Sequence, residues 1–208
     1  MPRMVYKMAT SAEKDVFVDM VTDGWFWMDS FIHDATGPAR LLDEQLRQHH
    51  WDFVSLQAQT AEPALTRERY FPAIRELCSK VREHGATPLI YQTWAYKDGT
   101  EKLETTGMGY QQFYEALKEG CQLAAAETGT DLVPVGDVFM KLCAPAGPLE
   151  MICDEDDFHP TLLGSYAAAA CFYCRIFGTD TIPTWKPKSM SRTKANQIWE
   201  AVLDVMRT

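Results

Sequence analysis

One short run in this sequence combines residue types and spacing that could do chemistry together. It is Asp156-Asp157-Phe158-His159-Pro160, followed by Thr161-Leu162-Leu163-Gly164-Ser165-Tyr166. A carboxylate three positions ahead of an imidazole can orient the ring and stabilise its protonated form, which is what a histidine base asks of its partner. Pro160, in the first turn of the helix that follows, would cost no hydrogen bond and would fix the helix start. The same residues admit a plainer reading, in which Asp156 or Asp157 caps the helix and His159 is a surface residue.

Two further signals are weaker alone. Val54 to Thr60 reads VSLQAQT and puts two amides, Gln57 and Gln59, where an apolar run ends. A side-chain amide N–H there can donate to a developing oxyanion, or it can simply bond the loop backbone. Thr22-Asp23-Gly24-Trp25 follows another apolar run, and its glycine allows a tight turn with an accessible N–H. Alone, that is only a turn.

The elements that must position these residues alternate along the chain. Val16 to Val21, Asp52 to Leu56, Thr87 to Gln92 and Asp131 to Pro134 read as short strands, the middle two near-continuously apolar as parallel strands are. Helical patterns lie over Ala39 to Gln48, Tyr70 to His84, Tyr110 to Thr128, Thr161 to Phe177 and Asn196 to Met206, with Gly85, Gly129 and Gly178 following three of them. Strands separated by such helices imply right-handed crossovers and a parallel sheet covered on both faces. The expectation is one α/β domain over residues 1–208, with 183–188 as a connector to the last helix. Ligands of such sheets bind beyond the carboxyl ends of the strands, where the three signals would fall.

The bulk composition narrows the function classes. Hydrophobic residues make up 46% and charged residues 24% of the 208, an ordinary globular balance. A formal net charge of -9 argues against a nucleic-acid partner, since phosphate binding needs surplus Lys and Arg. No run approaches the roughly 18 apolar residues of a membrane span. Cys171 and Cys174 are spaced C-x-x-C inside an apolar helical pattern, where two small buried thiols are expected rather than a redox pair. Cys143, Cys153 and His159 lack the tight spacing of a zinc site, so neither a metal nor another cofactor is expected.

Taken together in chain order, these features resemble the SGNH hydrolase superfamily. A glycine follows one strand, LQxQ[ST] ends the next in place of the usual G-x-N-D block, and D-x-x-H-P precedes a late helix reading GSYxAAxxFY. The resemblance covers roughly Met1 to Phe177, and D-x-x-H-P-T-x-x-G-S-Y is its most specific part. It implies a three-layer α/β/α fold with a flavodoxin-like parallel sheet, and a serine esterase acting on a small-molecule or carbohydrate ester such as an O-acyl group. His159 would be the general base and Asp156 its partner. Gly24, through its N–H, and Gln59, through its longer-than-usual amide arm, would bind the oxyanion. Trp25, Gln57, Trp94 and Tyr96 would line the crevice, although packing explains the aromatic cluster nearly as well.

The departure from that family is the nucleophile. No G-D-S or G-N-S occurs, and residues 1–9 resemble the helix that should follow such a motif. Ser11, Ser30 and Ser165 fit the role poorly. A flavodoxin-like sheet places its first strand centrally, so a chain without it leaves neighbouring strands unpaired. Either upstream residues supply the strand, or the first two strands seen here close up and pair. Upstream supply is the expectation, which leaves the compartment open: cytoplasmic if Met1 is the true start, secreted if a segment precedes it. The rival reading is a non-catalytic binding domain that keeps the crevice. Nothing in the sequence sets the oligomeric state.

Overall fold

A computed structural model of the chain describes residues 1–22, 24, 26–33, 37–143, 149–153 and 155–207. In chain order the elements are α1 (Pro2–Ser11), α2 (Ser30–His33), α3 (Pro38–Gln48), β1 (Phe53–Gln57), α4 (Glu62–Leu65), α5 (Arg67–Glu83), β2 (Thr87–Gln92), α6 (Glu101–Glu104), α7 (Tyr110–Thr128), β3 (Asp131–Pro134), α8 (Val135–Leu142), α9 (Leu162–Phe177) and α10 (Arg192–Met206). They fall into two compact units, residues 21–133 and residues 1–20 with 134–208.

The first unit is built on the sheet, whose order is β1-β2-β3. β1 and β2 run parallel in the register Phe53↔Thr87 through Gln57↔Tyr91. The strands therefore follow the sequence reading of a parallel α/β sheet lacking strands, with β1 displaced by one residue so that Gln57 ends it. Helix α5 makes the first crossover and buries Tyr70, Ala73, Ile74, Leu77, Cys78 and Val81, one stripe at helical spacing. It stops at Gly85, whose φ of +82° suits glycine. Helix α7 makes the second crossover and ends at Gly129 in the left-handed region. Gly120 is dictated by packing: a Cβ there would lie 2.0 Å from the Pro63 carbonyl oxygen, so α4 and α7 meet only because that position has no side chain. Leu42 and Leu46 of α3 join Leu56, Ile74, Leu77, Ile90 and Leu117 in one core, where each fully buried aliphatic side chain contributes roughly 1.5–3 kcal/mol.

The second unit centres on α9, which is buried from Tyr166 through Cys174 and packs against α1, α8 and α10. Cys171 and Cys174 are free thiols inside it. Burial pushes the Cys171 thiol well above its ordinary pKa and that of Cys174 to about 11, so both stay protonated and unreactive. That matches the structural role read from the sequence. Among the described residues no helix is long and apolar enough to cross a membrane.

The expected strand at Val16 to Val21 does not form. The segment is irregular, with Phe17 69% and Met20 57% exposed. β-branched and aromatic residues favour a strand only where a neighbouring strand is present, and among the described residues no strand of the sheet pairs with this run, although Val21 packs against the core. The first two expected strands therefore do not close up on one another. Helix α8 went unforeseen although Val135, Val138, Phe139 and Leu142 carry the i, i+3, i+4, i+7 pattern. Helix α10 begins four residues earlier than expected because the Ser191 hydroxyl caps it, accepting from the Lys194 N–H.

Candidate active site

The loop that carries Asp156 and His159 is closed on itself before α9 begins. Ile152 and Pro160 form an antiparallel bridge, the Cys153 N–H donates to the His159 carbonyl at 2.8 Å, and the Thr161 N–H donates to the Met151 carbonyl at 2.9 Å. Asp157 takes the left-handed conformation at φ +64°, uncommon for a residue with a side chain and better tolerated by Asp than by most. Helix α9 is capped by Thr161, whose hydroxyl accepts from the Gly164 N–H. Pro160 thus precedes the cap instead of occupying the first turn. With the cap supplied by Thr161, the Asp156 carboxylate does something else. Its Oδ1 accepts the backbone N–H of His159 at 2.8 Å and of Phe158 at 3.2 Å, and its Oδ2 lies 2.5 Å from His159 Nδ1.

The electrostatics follow from that arrangement. Partial burial pushes the Asp156 pKa up, but the hydrogen bonds from the His159 N–H, the His159 ring and the Phe158 N–H outweigh it, and the net shift is downward. Asp156 is therefore ionised across the neutral range. The His159 side chain is 64% exposed, and its ring stacks obliquely on Phe158 with centroids 4.2 Å apart. Gly164 holds α9 against this loop, since a Cβ would meet the Met151 carbonyl oxygen at 2.3 Å and Pro160 Cβ at 3.0 Å. The glycine of the GSY sequence is thus a packing requirement one helical turn from the histidine.

A second cluster stands at the carboxyl ends of β1 and β2. Gln57 closes β1 and is exposed. Two residues on, the Gln59 amide is fully oriented: its Oε1 accepts the Ala61 N–H at 2.9 Å and its Nε2 donates to the Tyr96 hydroxyl at 3.0 Å. A backbone N–H can only donate, so oxygen must face Ala61 and the NH2 group must face Tyr96. Tyr96 is buried, stacks on Phe113 at 5.1 Å, and lies 5.4 Å from Lys102 Nζ. Burial keeps its phenol above the ordinary pKa against the Gln59 bond, so it remains a neutral acceptor. Trp94, two residues past β2, is 8% exposed and packs near Tyr91 at 6.4 Å.

Sequence reasoning missed Glu62. Its side chain is fully buried, and its Oε1 accepts the Gln59 N–H at 3.0 Å while both oxygens accept the Met28 N–H at 3.2 Å. The legible signal was the spacing Gln59-x-x-Glu62, the pattern by which an acidic side chain reaches back to a helix entry. Nearby, Arg69 grips Asp29 with two nitrogens, Nη2 to Oδ1 at 2.7 Å, and its guanidinium lies 4.4 Å from the Trp27 ring centre.

Gly24 sits in a turn, and neither a left-handed backbone nor a close neighbour requires glycine there. Trp25 lies outside the described residues. The serines weighed from the sequence are all placed in helices. Ser11 ends α1, its hydroxyl donating to the Met8 carbonyl at 2.8 Å and accepting the Trp185 N–H at 3.2 Å. Ser30 opens α2, and Ser165 lies in the first turn of α9. Among the described residues no group of three or more His, Cys, Asp and Glu side chains is arranged to hold a metal ion.

Comparison with known proteins adds two solved structures. One is a protein of Slackia heliotrinireducens described as "a putative SGNH hydrolase", 27% identical, with a TM-score of 0.72 over 83% of this chain and 90% of that one. The other is a DUF4886 family protein from Bacteroides uniformis, 18% identical, with a TM-score of 0.67 over 80% of this chain and 66% of that one, a likeness of fold alone. No family profile matches the sequence. None of the curated proteins is similar enough to count as a match.

Proposed function

We propose that this chain, which has the α/β fold of the SGNH-type hydrolases, is an ester hydrolase with Asp156 and His159 as its base pair. The observation that carries the reading is the Asp156 carboxylate, ionised and set 2.5 Å from His159 Nδ1. Holding the proton on Nδ1 leaves Nε2 as the basic nitrogen. That nitrogen takes the proton of a serine hydroxyl as its oxygen attacks the ester carbonyl, then delivers it to the departing alcohol. Water repeats the sequence on the acyl-serine and releases the acid. Gly24, through its N–H, and Gln59, through its amide, are the oxyanion donors that the family resemblance suggests. Tyr96 already holds that amide by its Nε2, so little reorganisation is needed when charge develops.

Ser11, Ser30 and Ser165 fit the nucleophile's role poorly: all three lie in helices, and the Ser11 hydroxyl is already taken by the Met8 carbonyl and the Trp185 N–H. The reading requires a serine in the family's G-D-S or G-N-S setting, which these 208 residues do not offer. Gln57, Trp94 and Tyr96 follow the ends of β1 and β2, and in this reading they line a crevice that suits the apolar face of a sugar carrying an O-acyl group. The test is a fluorophosphonate probe, applied to the chain expressed with the codons that precede Met1, with the labelled residue located by mass spectrometry. Label on an upstream serine, lost in His159→Ala, supports the reading. Label on Ser30 or on none of the serines refutes it, the latter leaving a binding domain that keeps the crevice without the chemistry.

A further inference from the structure

A carboxylate with no exposed surface is expensive to keep ionised, and Glu62 sits in that position beneath the carboxyl end of β1. Its two oxygens receive N–H groups from separate stretches of chain, Met28 and Gln59, which are 31 residues apart in the sequence. The Gln59 bond alone is what a local helix-entry motif supplies. The Met28 bond is not local, being made 34 residues from Glu62, and a solvent-exposed cap would have served the helix at less cost. The carboxylate ties the turn that presents the Gln59 amide to the loop that follows Gly24.

We propose that Glu62 is a positioning residue, its carboxylate clasping the Met28 loop to the Gln59 turn and so fixing where the Gln59 amide donates. This rests on reading Gln59 as an oxyanion donor. The clasp depends on charge, because a carboxylate accepts N–H bonds about twice as strongly as a neutral acid. Burial pushes the Glu62 pKa up to about 7 against the pull of the Met28 and Gln59 N–H groups, with Asp29 raising it and Arg69 lowering it. Tyr70 of α5 also faces Glu62 and itself lies near Cys121 of α7 and Cys78. Asp29 and Arg69 neutralise one another as an ion pair. Protonation of Glu62 below neutrality therefore weakens its Met28 and Gln59 N–H bonds together, while relieving the cost of the buried charge.

Amide NMR of the 208-residue chain reads this without any enzymatic turnover. The Met28 and Gln59 amide protons are expected to shift with one shared midpoint near pH 7, to stop doing so in Glu62→Gln, and to continue in His159→Ala. Two separate midpoints, or a titration that survives Glu62→Gln, overturns the clasp. The wild-type titration decides the matter even if the variant folds poorly. In the serine-bearing longer chain, Glu62→Gln should lower kcat about tenfold with KM changed less than about twofold, the signature of a contact made in the transition state. Equal losses in kcat from Glu62→Gln alone and from Glu62→Gln in a Gln59→Ala background would also overturn it. If the two amides titrate together while Gln59→Ala leaves kcat untouched, the clasp stands and the oxyanion reading of Gln59 fails.

Discussion

The Asp156 carboxylate meets His159 twice, accepting its backbone N–H on one oxygen at 2.8 Å and facing its ring Nδ1 with the other at 2.5 Å. One side chain thereby fixes both the chain path and the ring of a residue that is otherwise largely exposed. Asp156→Asn keeps an oxygen for the backbone bond but loses the charge and, with the amide turned toward the ring, favours the wrong tautomer. In the serine-bearing chain it should cost roughly 10³- to 10⁴-fold in kcat, with a melting temperature close to the parent's. Rates on p-nitrophenyl acetate beside thermal unfolding check this, and a loss of under tenfold would detach Asp156 from the base.

The close approach of α9 to the histidine loop gives a stability prediction. Gly164→Ala forces a Cβ toward the Met151 carbonyl oxygen, 2.3 Å away, and overpacking of that kind costs about 1–3 kcal/mol. Ser165→Ala, one residue on, should stay within about 0.5 kcal/mol. Urea unfolding of the two variants decides it. Equal stabilities would mean that the helix start can shift freely.

Much of this was legible in the sequence, and the reasons differ by element. β2, β3 and α7 were readable because apolar runs or stripes ended at Gln92, Pro134 and Gly129, where chain chemistry changes abruptly. The run at Val16 to Val21 misled because strand preference belongs to a pairing, and a single segment's composition carries no information about whether its partner exists. The pairing of Asp156 with His159 was readable since the two meet within one local turn. Thr161 as the cap, and Glu62 as a tie between Met28 and Gln59, were not. The first turns on a one-residue choice of helix start, and the second joins residues 34 positions apart.

Glu62 also makes a pH prediction for stability. Its folded-state pKa, raised from 4.5 to about 7, means the folded chain binds more protons than the unfolded one in that window. Stability contributed by this group is therefore full below about 4.5 and falls as pH rises toward about 7. A shift of that size corresponds to roughly 3 kcal/mol at most. Urea unfolding at the two ends of the window should show a shallower fall for Glu62→Gln than for the parent. Identical pH dependence in the two proteins would contradict the assignment.

The buried thiols give a chemical prediction. In the folded chain Cys78, Cys121, Cys171 and Cys174 are buried, and a thiol that reagents cannot reach reacts slowly. Maleimide labelling at pH 7.5 followed by mass spectrometry should leave all four unmodified, with any rapid label confined to Cys143 or Cys153. Rapid labelling at Cys171 or Cys174, or their oxidation to a disulfide with the fold intact, would restore the redox reading of the C-x-x-C.

The central claim, a serine esterase run by the Asp156–His159 pair, is tested most directly by the initial rate of p-nitrophenyl acetate hydrolysis in three proteins. These are the 208-residue chain, the same chain extended through the codons before Met1, and His159→Ala in the extended chain. The account predicts a rate barely above background for the first and a rise of about two to three orders of magnitude or more for the second. In the third, the rate should return to the level that binding and oxyanion contacts alone sustain. Full activity in the 208-residue chain that Ser30→Ala abolishes, or an extended chain indifferent to His159→Ala, would contradict it.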